Sequence, residues 1–88
     1  MKKLEQGRLD NMIAEAAGKV EIGGRYLHYK GNIYRVLDIV ISESSQTLLV
    51  VYQAEYGRRL KFARDLDDWL EEVVIDSQVT PRFMKISE

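Results

Sequence analysis

The apolar residues near the N-terminus repeat with the period of an α-helix. They fall at positions i, i+3, i+4, i+7 and i+8, and they are Leu9, Met12, Ile13, Ala16 and Ala17. This spacing places them on one helical face, and Gly18 is typical of the residue that follows a last helical turn. The pattern predicts an amphipathic helix over residues 4–17, within an N-terminal segment 1–18. Its apolar face would pack either on its own domain or on a partner protein.

Beyond Gly23 and Gly24 the pattern becomes that of β-strands. Three segments are rich in Val, Ile, Leu and Tyr, and they cover residues 25–29, 33–42 and 47–56. The segments between them, Lys-Gly-Asn at 30–32 and Glu-Ser-Ser-Gln at 43–46, have the composition of turns. Asp38 interrupts an apolar run in the second strand and predicts a bulge, which would bend the sheet toward a barrel.

The C-terminal third combines short strands with one short helix. Residues 60–63 are typical of a strand, and Asp65 is placed to cap a short helix near residues 65–71. A strand, a turn near Asp76 and Ser77, and a last extended segment after Pro81 follow, because proline cannot donate a hydrogen bond within a central strand pair. The chain is therefore predicted to be mainly β, with one small curled sheet over residues 19–88.

Length and composition are those of one soluble globular domain. The chain has 88 residues, of which 45% are apolar and 31% are charged. No apolar run approaches the ~20 residues that span a bilayer, so we expect no membrane association and a cytoplasmic location. The sequence has no cysteine, which excludes disulfides, thiolate catalysis and cysteine-ligated zinc.

The charges are nearly balanced but unevenly distributed. The net charge is −1, with a basic surplus in residues 1–35 and an acidic surplus in residues 36–88. Nonspecific binding to duplex DNA requires a strongly basic face, so bulk DNA binding is not expected. A local pocket for an anion is compatible with this distribution.

The sequence carries no enzyme motif. His28 is the only imidazole, no serine occurs in a G-x-S-x-G elbow, and the glycines form neither G-x-G-x-x-G nor a P-loop. The acidic residues between 65 and 72 lack the spacing of a calcium loop and suit the first turn of a helix. We therefore expect a protein that is not an enzyme and that holds no metal and no cofactor.

Residues 25–36, RYLHYKGNIYRV, are the richest in candidate binding residues. This segment holds an aromatic and basic set: Tyr26, His28, Tyr29, Lys30, Tyr34 and Arg35. With a two-residue turn, the inward face consists of Leu27, Tyr29, Tyr34 and Val36, and the outward face of Tyr26, His28 and Arg35. A three-residue turn would invert this assignment. The outward face is either a surface that stacks on a planar ring and pairs with an anion, or an ordinary cross-strand pair of Tyr26 with Arg35.

Four stretches of the chain, GRYLHYKGNIYRV, LVVYQAEYG, FARDLDDWLEEV and PRF, resemble the small bacterial and phage family catalogued as domain of unknown function 1653. They extend over about residues 23–84. The most specific block is Tyr-x-His-Tyr-Lys-Gly, which residues 26–31 match. The chain departs from the family pattern at residues 41–44, where Ile-Ser-Glu-Ser replaces His-Ser-Glu-Thr, and at 62–65, where Phe-Ala-Arg-Asp replaces Trp-x-Arg-Pro.

The resemblance implies a small SH3-like β-barrel domain over residues 19–88 and brings no established activity. In such a barrel the chain ends pass the first hairpin, which would bring Arg64 and Arg82 to Tyr26 and His28. Our leading hypothesis is a non-enzymatic domain for a small anionic or nucleotide-like ligand, with seven binding residues: Tyr26, His28, Lys30, Tyr34, Arg35, Arg64 and Arg82. The alternative is a protein-interaction module, such as a phage-encoded inhibitor or a homo-oligomer, that uses the N-terminal helix or a sheet edge.

Overall fold

The computed structural model describes residues 6–86, without the side chain of Gln6. The elements are α1 Gln6–Ala17, β1 Arg25–His28, β2 Ile33–Ser42, β3 Thr47–Ala54, β4 Lys61–Asp65, α2 Leu66–Trp69, β5 Glu72–Ile75, β6 Gln78–Pro81 and β7 Phe83–Ile86. The first helix ends where it was predicted to end, and its predicted start at residue 4 lies outside the described residues. The other predicted helix and strands are present with small shifts of their ends.

The fold is mainly β and antiparallel, as predicted. Five strands form one sheet in the order β4-β3-β2-β1-β7, and β5 and β6 form a separate two-stranded hairpin. No pairing between the edge strands β4 and β7 closes this sheet in the part of the chain that the structure describes. The expected closed barrel is therefore not present as a hydrogen-bonded ring.

The predicted bulge in β2 is confirmed. Val36 lies opposite Tyr52, whereas Asp38 lies opposite Val51, so Leu37 is one extra residue in the strand. The backbone N–H of Ile39 donates to the Asp38 carboxylate at 2.8 Å. Because of the extra residue, Val36 and Ile39 both face the core, although strict alternation would place them on opposite faces.

The first hairpin has a three-residue turn. Tyr26 pairs with Tyr34 and Leu27 with Ile33, and the His28 N–H donates to the Asn32 carbonyl at 2.8 Å. Residues 29–31 form the turn, with Gly31 at φ +109°. The face assignment is therefore inverted for β1, whereas Tyr34 and Val36 of β2 lie on the inward face as predicted.

Three parts of the two-residue assignment are wrong, and all three concern β1. His28 lies on the inner face, where its ring meets those of Phe83 and Tyr34. Tyr26 lies on the inner face with only 5% of its surface exposed, and it does not share a face with Arg35. Leu27 lies on the outer face, because strand neighbours alternate between the two sides of a sheet.

Helix α1 packs on its own domain. Leu9, Ala16 and the following Val20 are almost fully buried, and Met12 packs against the core. The main core cluster joins residues of both helical regions and of the inner sheet face: Ala16, Val20, Tyr26, Val36, Ile39, Leu48, Val50, Tyr52, Trp69 and Phe83. Of the two predicted ways of covering the apolar helix face, packing within the chain is the one observed.

Candidate functional site: an aromatic and arginine cluster

Aromatic rings from five elements meet on the inner face of the sheet. Phe83 of β7 stacks on Trp69 of α2 with ring centroids 3.7 Å apart and an interplanar angle of 5°. His28 of β1 meets the same Phe83 ring edge-on at 4.9 Å, and Tyr34 does so at 6.1 Å. Tyr52 of β3 is a further neighbour, with its ring centroid 5.6 Å from that of Phe83 and 5.3 Å from that of Tyr34. We call this set, together with Tyr56, Phe62, Arg64 and Arg82, the aromatic and arginine cluster.

The outer part of the cluster is accessible to solvent. Tyr56 and Phe62 are 40% and 41% exposed, whereas Trp69, Tyr52 and Phe83 are buried. The hydroxyls of Tyr34 and Tyr56 form a hydrogen bond of 2.8 Å, and the Phe62 ring lies 6.3 Å from Tyr34. Planar apolar rings are therefore presented next to phenol hydroxyls.

Tyr34 is held in its neutral form well into the alkaline range. Burial, together with the hydrogen bond between the Tyr34 and Tyr56 hydroxyls, raises the pKa of Tyr34 to about 12 from its ordinary value of 10.0. Tyr34 therefore keeps a hydroxyl that both donates and accepts at neutral pH.

Arg64 of β4 lies over the Phe83 ring, with its guanidinium carbon 5.5 Å from the ring centroid. Its Nε donates to the Tyr52 hydroxyl at 3.4 Å, which is long for a hydrogen bond. Within residues 6–86, no carboxylate forms an ion pair with Arg64. Arg64 is thus a half-buried guanidinium on an aromatic face, with Nη donors that no described residue occupies, and such a group is chemically suited to pair with an anion.

The contact between Arg64 and Phe83 also indicates that the sheet is strongly curved. β4 and β7 are at opposite edges, so a flat sheet would separate them by four strand spacings, about 19 Å. The 5.5 Å contact between their side chains requires the sheet to curl strongly around its inner face. The cluster is therefore produced by sheet curvature.

Arg82 approaches the cluster from the base of the β5–β6 hairpin. Its Nη2 donates to the Glu71 carboxylate at 2.8 Å, and its carbonyl accepts from the Tyr29 N–H at 3.0 Å. Its Nε is buried and has no hydrogen-bond partner among the described residues. A buried donor of this kind calls for a water molecule or a ligand oxygen.

His28 lies in a positive environment. Burial lowers its pKa below the ordinary value of 6.5, and the charges of Arg64, Arg82 and Lys30 lower it further. Its Nδ1 accepts a hydrogen bond of 3.2 Å from the Lys30 N–H. The ring is therefore neutral at pH 7 and carries its proton on Nε2, which is a donor.

The structure brings together four of the seven predicted binding residues: His28, Tyr34, Arg64 and Arg82. Lys30 is close enough to act on His28 by its charge, and its ammonium lies 5.8 Å from the Tyr29 ring. Tyr26 and Arg35 do not join this set. The Tyr26 hydroxyl accepts from the Glu21 N–H at 3.0 Å inside the core, and Arg35 binds Glu55 and the Gly23 carbonyl on the outer face.

Several aromatic members of the cluster were not among the predicted binding residues: Tyr52, Tyr56, Phe62, Trp69 and Phe83. A signal for two of them is present in the sequence. Tyr52 is spaced by two and four residues from the apolar Val50 and Leu48, so the three share one strand face. Phe62 is two residues from Arg64 and shares a face with it for the same reason. The contact of Phe83 with Arg64 has no local signal, because the two residues are 19 positions apart.

A shallow groove lies beside Arg64. It encloses about 540 Å³, and it is lined by Leu49, Tyr52, Phe62, Ala63, Arg64, Asp65 and Asp68. Its size is in the range of small-ligand sites. Among residues 6–86 no group of three or more histidine, aspartate or glutamate side chains is arranged to hold a metal ion. The described part of the chain also has no helix that is long and apolar enough to cross a membrane.

Comparison with known proteins gives a family and one solved structure. Residues 24–85 match the model of a family described as "Protein of unknown function (DUF1653)". A crystal structure of a protein of that family from Bordetella bronchiseptica is 32% identical in sequence, with a TM-score of 0.67. The match covers 73% of this chain and 85% of that chain. No curated protein matches the sequence.

Proposed function

The chain belongs to the DUF1653 family, which assigns no activity, and from the site itself we propose a non-enzymatic domain that binds a small anionic ligand with a planar group, such as a nucleotide. The observation that carries this proposal is Arg64, a half-buried guanidinium over the Phe83 ring with no ion pair among the described residues.

The cations around His28 supply the anion-binding part. Arg64 and Arg82 both lower the pKa of His28, so their positive potentials overlap at its ring. An anion placed there would receive hydrogen bonds from the Arg64 guanidinium and from the Nε2 of His28. The buried Nε of Arg82 is a third candidate donor. Charge-assisted hydrogen bonds of this kind contribute more than neutral ones.

The exposed rings supply the part that recognises a planar group. Tyr56 and Phe62 present aromatic faces at the edge of the cluster, next to Tyr34. Stacking of a base on an aromatic side chain contributes about 1–3 kcal/mol. A ligand that joins a phosphate or carboxylate to a flat ring would use both parts of the cluster at once.

The non-enzymatic assignment is supported by the surroundings of His28. Its Nδ1 accepts from the Lys30 backbone N–H, so the proton of the neutral ring is on Nε2. The ring is therefore arranged to donate a hydrogen bond through Nε2 and not to accept a proton there.

We also propose that the curved sheet is an SH3-like barrel left open between β4 and β7. The support is the strand order, in which consecutive strands pair and the last strand returns to the first. The single-turn helix α2 before the last part of the chain and the contact of Arg64 with Phe83 agree with this arrangement.

Thermal unfolding with three ligands tests the binding proposal. AMP carries both chemical parts, ribose 5-phosphate lacks the flat base, and adenosine lacks the anion. AMP is expected to raise the melting temperature most. Arg64→Gln should abolish the stabilisation by both phosphate-containing ligands, AMP and ribose 5-phosphate. Arg58→Gln, in the exposed loop before β4, is the matched control and should keep it. The proposal would be contradicted if AMP and ribose 5-phosphate gave no stabilisation at millimolar concentration, or if the Arg64→Gln and Arg58→Gln variants responded equally.

A second measurement uses His28 as the reporter. An anion bound between Arg64 and Arg82 offsets their charges, so AMP should raise the pKa of His28 toward its ordinary value. A proton NMR titration of the imidazole with and without AMP measures this. An unchanged His28 pKa at a concentration that stabilises the protein would place the ligand elsewhere.

A second candidate function is protein interaction through the β5–β6 hairpin. Val74 and Val79 form a cross-strand pair and are 71% and 63% exposed. The Cα radius of gyration is 14.2 Å, against about 12 Å for a compact domain of this length, which agrees with a projecting arm. The N-terminal helix is less suited to this role, because Leu9 and Ala16 of its apolar face are already buried within the domain.

Shortening the hairpin tests this second candidate. Residues 74–79 can be replaced by Asn-Gly, which closes the strands after the pair Val73 and Thr80. Sedimentation velocity should show loss of self-association if the hairpin holds two copies together, while circular dichroism should remain that of the folded domain. A full-length protein that sediments as a monomer at high concentration would exclude the homo-oligomer.

A further inference from the structure

A second groove lies between α1, the start of β3 and α2, and it shares Asp65 and Asp68 with the groove beside Arg64. It encloses about 460 Å³. Its floor is apolar, because Ala16 and Leu48 are buried there and Met12 and Leu66 are half-buried beside them. Methionine and leucine side chains adapt readily to an inserted apolar group.

The rim of this groove is acidic. Four carboxylates line it, against the single cation Lys19, and they are Glu15, Asp65, Asp67 and Asp68. All four are exposed, and none forms an ion pair within residues 6–86. Asp65 precedes α2 but makes no side-chain capping bond to it. The carboxylates are therefore available to a partner.

We propose that this groove docks a basic amphipathic helix of a partner protein. An apolar side chain of that helix would contact Met12 and Leu66 on the floor, and its Lys or Arg side chains would pair with the carboxylates of the rim. The charge of the rim determines the choice of partner, because unlike charges steer association and like charges exclude it. The proposed anion site is centred on Arg64, and the two grooves share Asp65 and Asp68. The docking function rests on residues that line this groove alone, which are Met12, Glu15, Leu66 and Asp67.

The observations favour a helix over a bare cation. Among the described residues no acidic group is arranged to hold a metal ion, so the rim does not form a coordination site. An inorganic cation would bury no apolar surface on the floor of the groove. An aliphatic side chain of a helix would be removed from water there, which is favourable. The volume of about 460 Å³ is sufficient for several side chains of one helical face.

The experiment uses a synthetic peptide with the full chain. The peptide has about four helical turns, with leucines on one face and lysines on the other, and carries a fluorescent label for anisotropy. We expect it to bind, and to bind less tightly as salt is added. A peptide with glutamates in place of the lysines should not bind, and one with serines in place of the leucines should bind much more weakly.

Matched double variants separate the rim from general charge. Glu15→Gln with Asp67→Asn removes two rim charges, and the expected loss is about three- to tenfold in affinity, as for two exposed ion pairs. Glu43→Gln with Asp76→Asn removes two carboxylates from turns outside the groove and should leave the affinity unchanged. Amide chemical-shift changes on peptide addition should centre on Leu48 and Leu66.

Four results of the peptide experiment would overturn the proposal. These are equal losses in the two double variants, equal binding of the glutamate peptide, complete displacement of the peptide by spermine at equal charge, or shift changes confined to the region of Arg64. Self-association that buries the same groove without peptide would assign the groove to a second copy of the chain and also overturn it. Thermal unfolding of each variant verifies that it is folded.

Discussion

Phe83 and Trp69 stack in parallel at 3.7 Å, and this contact joins β7 to α2 across the hairpin that separates them in sequence. Both rings are buried, and Trp69 also meets Tyr26 and Tyr52 edge-on. The stack therefore holds the returning strand against the rest of the core. The same Phe83 ring carries Arg64 on the inner face, so stability and the candidate site depend on one side chain.

Phe83→Leu is expected to lower the free energy of unfolding by about 1–2 kcal/mol, because it removes the stacked ring and leaves a small cavity. Urea denaturation followed by Trp69 fluorescence measures the change. Val79→Ala, on the exposed face of the hairpin, should cost less than about 0.5 kcal/mol. Equal costs for the two variants would contradict the role of the stack.

Tyr34 should ionise well above pH 10. Because the pKa of Tyr34 is about 12 in the folded domain and 10.0 ordinarily, folding favours the neutral phenol. The resulting contribution of Tyr34 to the free energy of unfolding is full below pH 10 and is lost as the pH rises from 10 through 12. Absorbance titration of the phenolate measures the ionisation. Tyr56→Phe removes the hydrogen bond and should lower the pKa of Tyr34, which nevertheless stays above 10.0 because burial is the larger cause. Tyr29→Phe is the control and should leave the late titration in place.

Glu55 should contribute to stability at neutral pH and not in acid. Hydrogen bonds from Arg25 at 2.8 Å and Arg35 at 2.9 Å lower its pKa below 4.5. The contribution is therefore present above pH 4.5 and is lost as the pH falls through the lowered value. Glu55→Gln is expected to cost about 0.5–1 kcal/mol at pH 7, the range of partly exposed ion pairs, and nothing in strong acid.

The more exposed pair of Glu21 with Lys85 is the matched control for that measurement. Among the described residues the Glu21 carboxylate makes one ion pair and the Glu55 carboxylate makes two, so Glu21→Gln should change stability less at pH 7. Urea denaturation at several pH values distinguishes the two. A Glu55 variant whose loss persists unchanged in acid would show that packing, and not charge, is responsible.

Gly31→Ala should destabilise the domain by more than about 1 kcal/mol. Gly31 has φ +109°, a backbone conformation that residues with a Cβ rarely adopt, although no heavy atom lies within 4 Å of an added Cβ. Gly7→Ala, in α1 and equally open, should be neutral or stabilising by up to about 1 kcal/mol. Urea denaturation measures the stability of both variants. Each substitution adds one methyl group, so the difference between them reports the backbone strain at residue 31 against the gain in helix propensity at residue 7.

Much of the secondary structure is readable from local sequence. The strand over residues 33–42 and its bulge follow from an apolar run interrupted by Asp38, and the turn at Asp76 and Ser77 follows from its composition. These features depend on neighbours in the chain. The end of helix α1 at Ala17 likewise follows from Gly18.

The inward face of β1 could not be read in this way. Lys30-Gly31-Asn32 suits both a two-residue and a three-residue turn, and the two place Tyr26 on opposite sides of the sheet. Only tertiary packing of Tyr26 against Trp69 decides between them. The meeting of Arg64 with Phe83 is equally beyond local pattern, because it depends on the curl of the whole sheet.

The length of the turn at residues 29–31 also governs how far a role may be transferred between sequences. A relative aligned to this chain without a gap in that turn places its histidine on the same side of the sheet as His28. A relative with one residue fewer there would turn the histidine away, even if every letter around it were the same. When a relative is aligned to this chain, a gap or its absence at residues 29–31 is therefore more informative about the site than sequence identity in the residues around His28.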